Sequence, residues 1–178
     1  MATEPSLRYF AYGRNMASAV MDLACPGHRY LGRAELADHR LAFTRRSLRT
    51  GTGVADILPT PGRSVWGALY QLAPSDLAAI DQKEGNGWAY QRRAVIVRLD
   101  AGKPDAGRSD SGKPSPDPLG AGQANGERRQ LQAFAYSVIA PEPQPIAPSA
   151  EYRQALLDGA RQRGLPADYL ARLVAGLP

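Results

Sequence analysis

Leu7-Arg-Tyr-Phe-Ala-Tyr-Gly-Arg-Asn-Met16 begins as an aromatic-rich strand, breaks at Gly13 and leads towards a helix start after Asn15. A strand feeding a glycine turn at the head of the chain sets the type of architecture, and the segments that follow extend it. His39-Arg-Leu-Ala-Phe-Thr-Arg45 alternates polar and apolar positions. Val65-Trp-Gly-Ala-Leu-Tyr-Gln-Leu72 is a mostly apolar run that stops before Pro74. Tyr90 to Leu99 carries Val95, Ile96 and Val97, and Leu131 to Val138 alternates again. These are strand signals. Helix signals lie between and after them. Pro74 and Ser75 stand at a helix start with Asp76 in the first turn, Leu77 and Ile80 mark one face, and Gly85 is the stop. Ser149 caps a helix with Tyr152, Leu156 and Gly159 on one face, and Gly164 ends it. Pro166 opens a last helix carrying Tyr169, Leu170 and Leu173. A short helix is expected over 16–23. Strands fill the first two-thirds and helices the end, so the fold class is α+β, with a strongly curved sheet or barrel.

The chain of 178 residues has the size of one domain, 1–178. Ala101 to Gln130 stands apart, with six Gly, four Pro and Leu119 as its only large apolar residue. Such a stretch buries too little surface to offset the entropy of ordering it, and it reads as a flexible insertion between two strands. A single cysteine, Cys25, excludes a disulfide framework and any multi-cysteine metal site. No apolar run is long enough to span a bilayer, and the N-terminus lacks the build of a signal peptide, so a cytoplasmic protein without a membrane partner is expected.

The net charge is +5, and the basic residues are mostly arginine. Arg40, Arg45, Arg46 and Arg49 crowd into one stretch. With no aromatic platform or helix-turn-helix pattern beside it, the cluster reads as a solvated strand edge rather than a nucleic-acid footprint. Cys25 reads as a small buried or half-buried thiol, and His28 and His39 as surface or strand-edge residues. No Gly-x-Ser-x-Gly elbow and no phosphate-binding loop occurs.

Two places carry chemistry. At Gly13-Arg-Asn-Met16 successive backbone N–H groups can form an anion-binding concavity, Asn15 can cap the following helix, and Arg14 adds a forked donor for a carboxylate. The same pattern also fits a plain strand–turn–helix corner. At Asp81-Gln-Lys-Glu-Gly85, Glu84 stands in the last turn of its helix, where the dipole is negative, with Asp81 three residues back. Both disfavour a second negative charge and suit a group that carries a proton. The alternative is an exposed helix-end glutamate. The following Gly85-Asn-Gly87, Trp88 and Tyr90 can admit a ligand and wall a small pocket.

In this order the motifs resemble the γ-glutamylcyclotransferase family. Residues 9 to 16 are similar to its Tyr-Gly-Ser-Asn-Leu loop. Ala34-x-Leu36-x-Asp38, Gly53-x-Ala55, Pro61-Gly62 and Val65-Trp-Gly67 follow, then Asp81-x-x-Glu84-Gly85. Pro148-Ser-x-x-Tyr152 and Gly164-Leu-Pro-x-x-Tyr169 match the C-terminal helices. The resemblance covers nearly the whole chain outside 101–130. It implies a mixed-sheet barrel with peripheral helices and a pocket at one end. It implies cleavage of γ-glutamyl amides to 5-oxoproline and a free amine, an acyltransferase or lyase type of reaction with no metal and no cofactor.

Carried over by position, Glu84 is the acid/base, and the loop of Tyr12, Gly13, Arg14, Asn15 and Met16 holds the glutamyl carboxylate and carbonyl through backbone donors. Tyr90 and Tyr136 line the pocket. The partner is then a small γ-glutamyl molecule and no nucleic acid, with the protein a monomer or a homodimer. The family's loop has Ser where this chain has Arg14, which leaves the amine half of the substrate open. A non-catalytic ligand- or protein-binding module on the same fold is the alternative.

Overall fold

The computed structural model describes residues 7–100 and 129–176. Five strands, β1 (Arg8–Ala11), β2 (Arg29–Arg46), β3 (Gly53–Gln71), β4 (Tyr90–Asp100) and β5 (Arg129–Val138), close into a barrel in the order β1-β3-β2-β4-β5. Every neighbouring pair is antiparallel except β1 with β5, which run parallel and meet at Tyr9 and Phe134. This is the mixed, strongly curved barrel expected from the sequence.

The two longest strands exceed their sequence signals. β2 and β3 form an 18- and 19-residue hairpin that runs through Pro59, Pro61 and Gly62. The ladder survives because it is bulged. Its register shifts between Tyr30 and Gly32, between Ala37 and His39, and between Phe43 and Arg45, and Asp38 sits at φ 56° in the middle shift. The proline-bearing part of β3 is largely exposed, where a missing ladder donor costs little. Close approach also fixes Gly67, since a Cβ there would lie 2.2 Å from the Ala11 carbonyl oxygen of the neighbouring strand.

A 3-10 turn (Arg14–Met16) and helix α1 (Ser18–Ala24) follow β1. The single helix expected over 16–23 is thus split at Ala17, whose extended backbone separates the two pieces. Helices α2 (Pro74–Glu84), α3 (Ala150–Gln162) and α4 (Ala167–Gly176) lie outside the sheet. Ser149 caps α3 as expected, its side chain accepting from the Tyr152 N–H at 3.1 Å. One apolar cluster joins the barrel to the helices. Phe10, Leu69, Tyr70, Ile80 and Leu156 are all fully buried in it, and each such aliphatic side chain contributes about 1.5–3 kcal/mol.

Arg163 ties α3 to the turn after β1. Its guanidinium donates to the Met16 carbonyl at 2.7 Å and to the Tyr70 hydroxyl at 3.0 Å, and stacks over the Tyr30 ring. The expected insertion at 101–130 falls mainly outside the described residues. Its last two positions, Arg129 and Gln130, belong to β5. No helix among the described residues is long and apolar enough to cross a membrane.

Candidate active site

Glu84 is the last residue of α2, and the chain turns sharply after it. Gly85 takes the left-handed conformation at φ 66°, and the Asn86 N–H closes back on the Asp81 carbonyl at 2.9 Å. The Gly85 carbonyl then accepts from the N–H groups of Trp88 and Ala89. A side chain at position 85 would collide with the Trp88 ring at 2.7 Å. This tight turn presents Glu84 to a cavity of about 380 Å³ at one end of the barrel.

The turn after β1 meets the same cavity. Asn15, buried, donates through Nδ2 to Glu84 Oε1 at 2.8 Å and to the Tyr9 hydroxyl at 2.9 Å. Lys83 Nζ donates to Asn15 Oδ1 at 2.5 Å. An ammonium only donates, so Lys83 fixes which way the amide faces and directs its N–H groups at Tyr9 and Glu84. Lys83 also reaches Glu84 Oε1 at 3.2 Å. Glu84 Oε2 has no protein donor among the described residues.

Five tyrosines complete the walls: Tyr9, Tyr12, Tyr90, Tyr136 and Tyr152. Each has its hydroxyl engaged. Tyr12 donates to the Tyr136 carbonyl, and Tyr90 donates to the Ala55 carbonyl at 3.0 Å. The Ala55 N–H donates to Tyr152 at 3.1 Å, and Tyr136 donates to Asp81 Oδ1 at 2.6 Å. Burial pushes all five phenols above their ordinary acidity range, Tyr152 to about 12, and the negative charge of Glu84 adds to it. They therefore stay protonated near neutrality. Glu84 is the only carboxylate among the described lining residues, and so the only anionic proton acceptor there.

Ala55 holds two of these tyrosines because Asp56 beside it is pinned. Asp56 is 1% exposed. Its carboxylate accepts from Thr44 Oγ1 at 2.6 Å and from the N–H groups of Ile57 at 2.8 Å and Val138 at 3.0 Å. Three strands meet on that one side chain.

Of the residues singled out in the sequence, Glu84, Tyr12, Gly13, Arg14, Asn15, Tyr90 and Tyr136 all line the cavity. Met16 does not. It is fully buried, its N–H bonds the Gly13 carbonyl at 3.0 Å, and its own carbonyl is held by Tyr70 and Arg163. Asn15 caps no helix, because its amide is taken by Tyr9 and Glu84. Asp81 bonds Tyr136 and ion-pairs with Arg92 at 3.3 Å, so its charge is answered from the side away from α2.

Arg40, Arg46 and Arg49 are exposed, as expected of a solvated cluster, but the strand flank beside them is partly covered and three of the four arginines also line the cavity. The Thr44 and Phe43 carbonyls on that flank accept from the N–H groups of Glu142 and Ile146, and Arg45, Arg46 and Arg49 line the cavity mouth. Arg40 lies away from them, beside a second cavity next to α4. Sequence reading also missed Tyr9, Lys83 and Tyr152 as lining residues. Lys83 adjoins Glu84, and Tyr152 stands three residues after the Ser149 cap, so both were in view without a signal of direction. Cys25 is buried as expected, its thiol pushed up to about 11 by burial and by Asp76.

Comparison with known proteins bears on the family and the fold. Residues 9–111 match the family described as gamma-glutamyl cyclotransferase, AIG2-like, and residues 122–173 match the AIG2-like family. Gamma-glutamylcyclotransferase from Homo sapiens is 26% identical over 176 residues, covering 97% of this chain and 79% of that protein. The Bos taurus protein of the same name is 28% identical over 173 residues, covering 94% and 77%. A solved structure titled gamma-glutamyl cyclotransferase superposes with a TM-score of 0.75 at 25% identity, covering 96% of this chain and 88% of that one. The match to the first family takes in more than half of the residues, and the chain belongs to the gamma-glutamyl cyclotransferase, AIG2-like family.

Proposed function

We propose that this chain is an enzyme that cleaves γ-glutamyl amides to 5-oxoproline and a free amine, with Glu84 as general acid and base. The observation that carries the reading is the lone carboxylate of Glu84 in a cavity walled by protonated tyrosines, oriented through one oxygen by Asn15.

The reaction needs no protein nucleophile. The substrate's α-amino nitrogen attacks its own γ-carbonyl carbon, forming the new C–N bond of a five-membered ring, and the C–N bond to the leaving amine breaks. Intramolecular attack requires orientation and a proton carrier. Glu84 takes a proton from the attacking nitrogen and returns it to the leaving nitrogen, so the carboxylate is regenerated. The backbone N–H groups of Gly13, Arg14 and Asn15 hold the oxygen that becomes negative at the tetrahedral stage, where preorganised donors are worth most. The tyrosine walls exclude water and fix the glutamyl chain in its folded, reactive shape.

Release of 5-oxoproline from a panel of γ-glutamyl amines, with Glu84→Gln beside the unaltered protein, tests this. Glutamine keeps the shape and cannot accept the proton, so turnover falls by ~10²–10⁴-fold while substrate affinity changes little. A folded Glu84→Gln protein with full turnover overturns the role of Glu84. An unaltered protein that binds γ-glutamyl ligands and releases no 5-oxoproline makes the chain a binding module instead.

A further inference from the structure

The charge of the cavity exceeds what a γ-glutamyl group can answer. Arg14, Arg45, Arg46, Arg49 and Lys83 line it against the single carboxylate of Glu84. Lys83 pairs with Glu84, and Arg46 lies 3.5 Å from Glu142. No carboxylate among the described residues lies within ion-pair distance of Arg14, Arg45 or Arg49. Arg14 and Arg45 rest over aromatic rings instead, Arg14 over Tyr152 at 5.8 Å and Arg45 over Trp88 at 5.4 Å.

A γ-glutamyl group brings one α-carboxylate and one α-ammonium, and its net charge is zero. One guanidinium suffices to answer that α-carboxylate, and Arg14 lines the cavity on the turn next to Asn15. Arg45 and Arg49 come from a different element, the end of β2 and the turn after it, and neither has a carboxylate within ion-pair distance among the described residues. An amine half with one carboxylate satisfies one of them. Both arginines line the cavity, and a ligand with two negative charges gains a charge-assisted contact from each.

We infer that Arg45 and Arg49 form a subsite for the leaving half of the substrate, and that it selects amine halves carrying two or more carboxylates, such as an acidic amino acid or a γ-linked acidic chain. Trp88, 62% exposed beneath Arg45, is the flat surface on which the aliphatic part of such a group lies. The inference rests on the reading of the cavity as a γ-glutamyl cyclotransferase site.

The test compares γ-glutamyl-glutamate with γ-glutamyl-glutamine, which have nearly the same shape and differ by one charge. Two quantities are read at low salt: kcat/KM for 5-oxoproline release by the unaltered protein, and Kd for each dipeptide by calorimetry on the Glu84→Gln protein. We expect the acidic dipeptide to be favoured about tenfold in both, as for one charge-assisted contact, with the preference shrinking at high salt. Arg45→Gln and Arg49→Gln each bring the ratio towards one. Arg49 is exposed on a turn, so its variant folds even if loss of the Arg45–Trp88 stacking disturbs the other. Equal kcat/KM and equal Kd for the two dipeptides overturn the subsite and leave the reaction standing. A preference that survives both substitutions also overturns it. Tenfold tighter binding of the acidic dipeptide without any 5-oxoproline release sinks the reaction and upholds the subsite.

Discussion

Asn15 Nδ2 and Glu84 Oε1 meet at 2.8 Å although 69 residues separate them in the chain. One residue belongs to the turn that leaves the first strand, the other to the end of a helix outside the barrel. Their contact joins two elements with no continuous secondary structure between them and gives the carboxylate a fixed direction.

Replacing Asn15 by Leu keeps the volume and removes both donors. The Tyr9 hydroxyl and Glu84 Oε1 each lose a partner, and a stranded polar group costs roughly 1–3 kcal/mol. Turnover should fall by about 10²-fold through misplacement of Glu84, with KM moving less. Steady-state kinetics with chemical denaturation separates the two effects. An unchanged kcat would mean that Glu84 is oriented by other groups.

Asp56→Ala strands the Thr44 hydroxyl and the N–H groups of Ile57 and Val138 together. A loss of at least about 3 kcal/mol follows, from roughly 1 kcal/mol or more for each donor. Asp56→Asn should lose less, because the amide oxygen still accepts. Denaturation midpoints for the two variants check this. Equal stability in both would show that the clip contributes little.

The Cys25 thiol should resist alkylation in the folded protein at pH 8 and react once the chain is unfolded. The attacking species is the thiolate, and burial pushes this thiol up to about 11. The folded state therefore holds the proton more tightly than the unfolded state. The resulting stability is fully present below the thiol's ordinary range and is lost as pH rises through about 11. Rapid alkylation of the native protein at pH 8 would contradict the burial of this group.

Leu99 pairs directly with Arg129 across the β4–β5 ladder, so a short hairpin can join these strands. Replacing residues 101–127 with Asn-Gly should shift the melting temperature by no more than a few degrees and leave kcat/KM unchanged. Loop-closure entropy varies slowly with length, and Asn-Gly suits a two-residue turn. Failure to fold, or loss of turnover, would assign the replaced segment a structural or catalytic part.

What the sequence disclosed follows from how local each signal is. Alternation at 39–45 and 131–138, and aromatic, apolar or β-branched runs elsewhere, marked part of each of the five strands, and Pro74, Gly85 and Ser149 marked helix ends, because capping and turn chemistry act within a few residues. The full length of β2 and β3 escaped because Pro59, Pro61 and Gly62 are stop signals in isolation. Only the bulged pairing with β2 makes them tolerable. Glu84 and the loop from Tyr12 to Asn15 were legible as two separate features. The direction of the Asn15 amide was not, since a lysine beside the other partner decides it. That the arginines at 45, 46 and 49 also line the cavity was hidden for the same reason: which surface they face depends on how the barrel closes.

Barrel closure itself has a mechanical consequence. β1 and β5 are registered at a single pair, Tyr9 with Phe134, whereas the β2–β3 hairpin is registered along almost its entire length. Tyr9 and Tyr12 stand on one side of that narrow join and Tyr136 on the other, with the Tyr12 hydroxyl reaching across it. The cavity therefore straddles the weakest stitch of the sheet. A ligand seated among these tyrosines acts as a clasp across the stitch, so amide exchange in β1 and β5 should slow on binding, and more than in the part of the hairpin that lies away from the cavity.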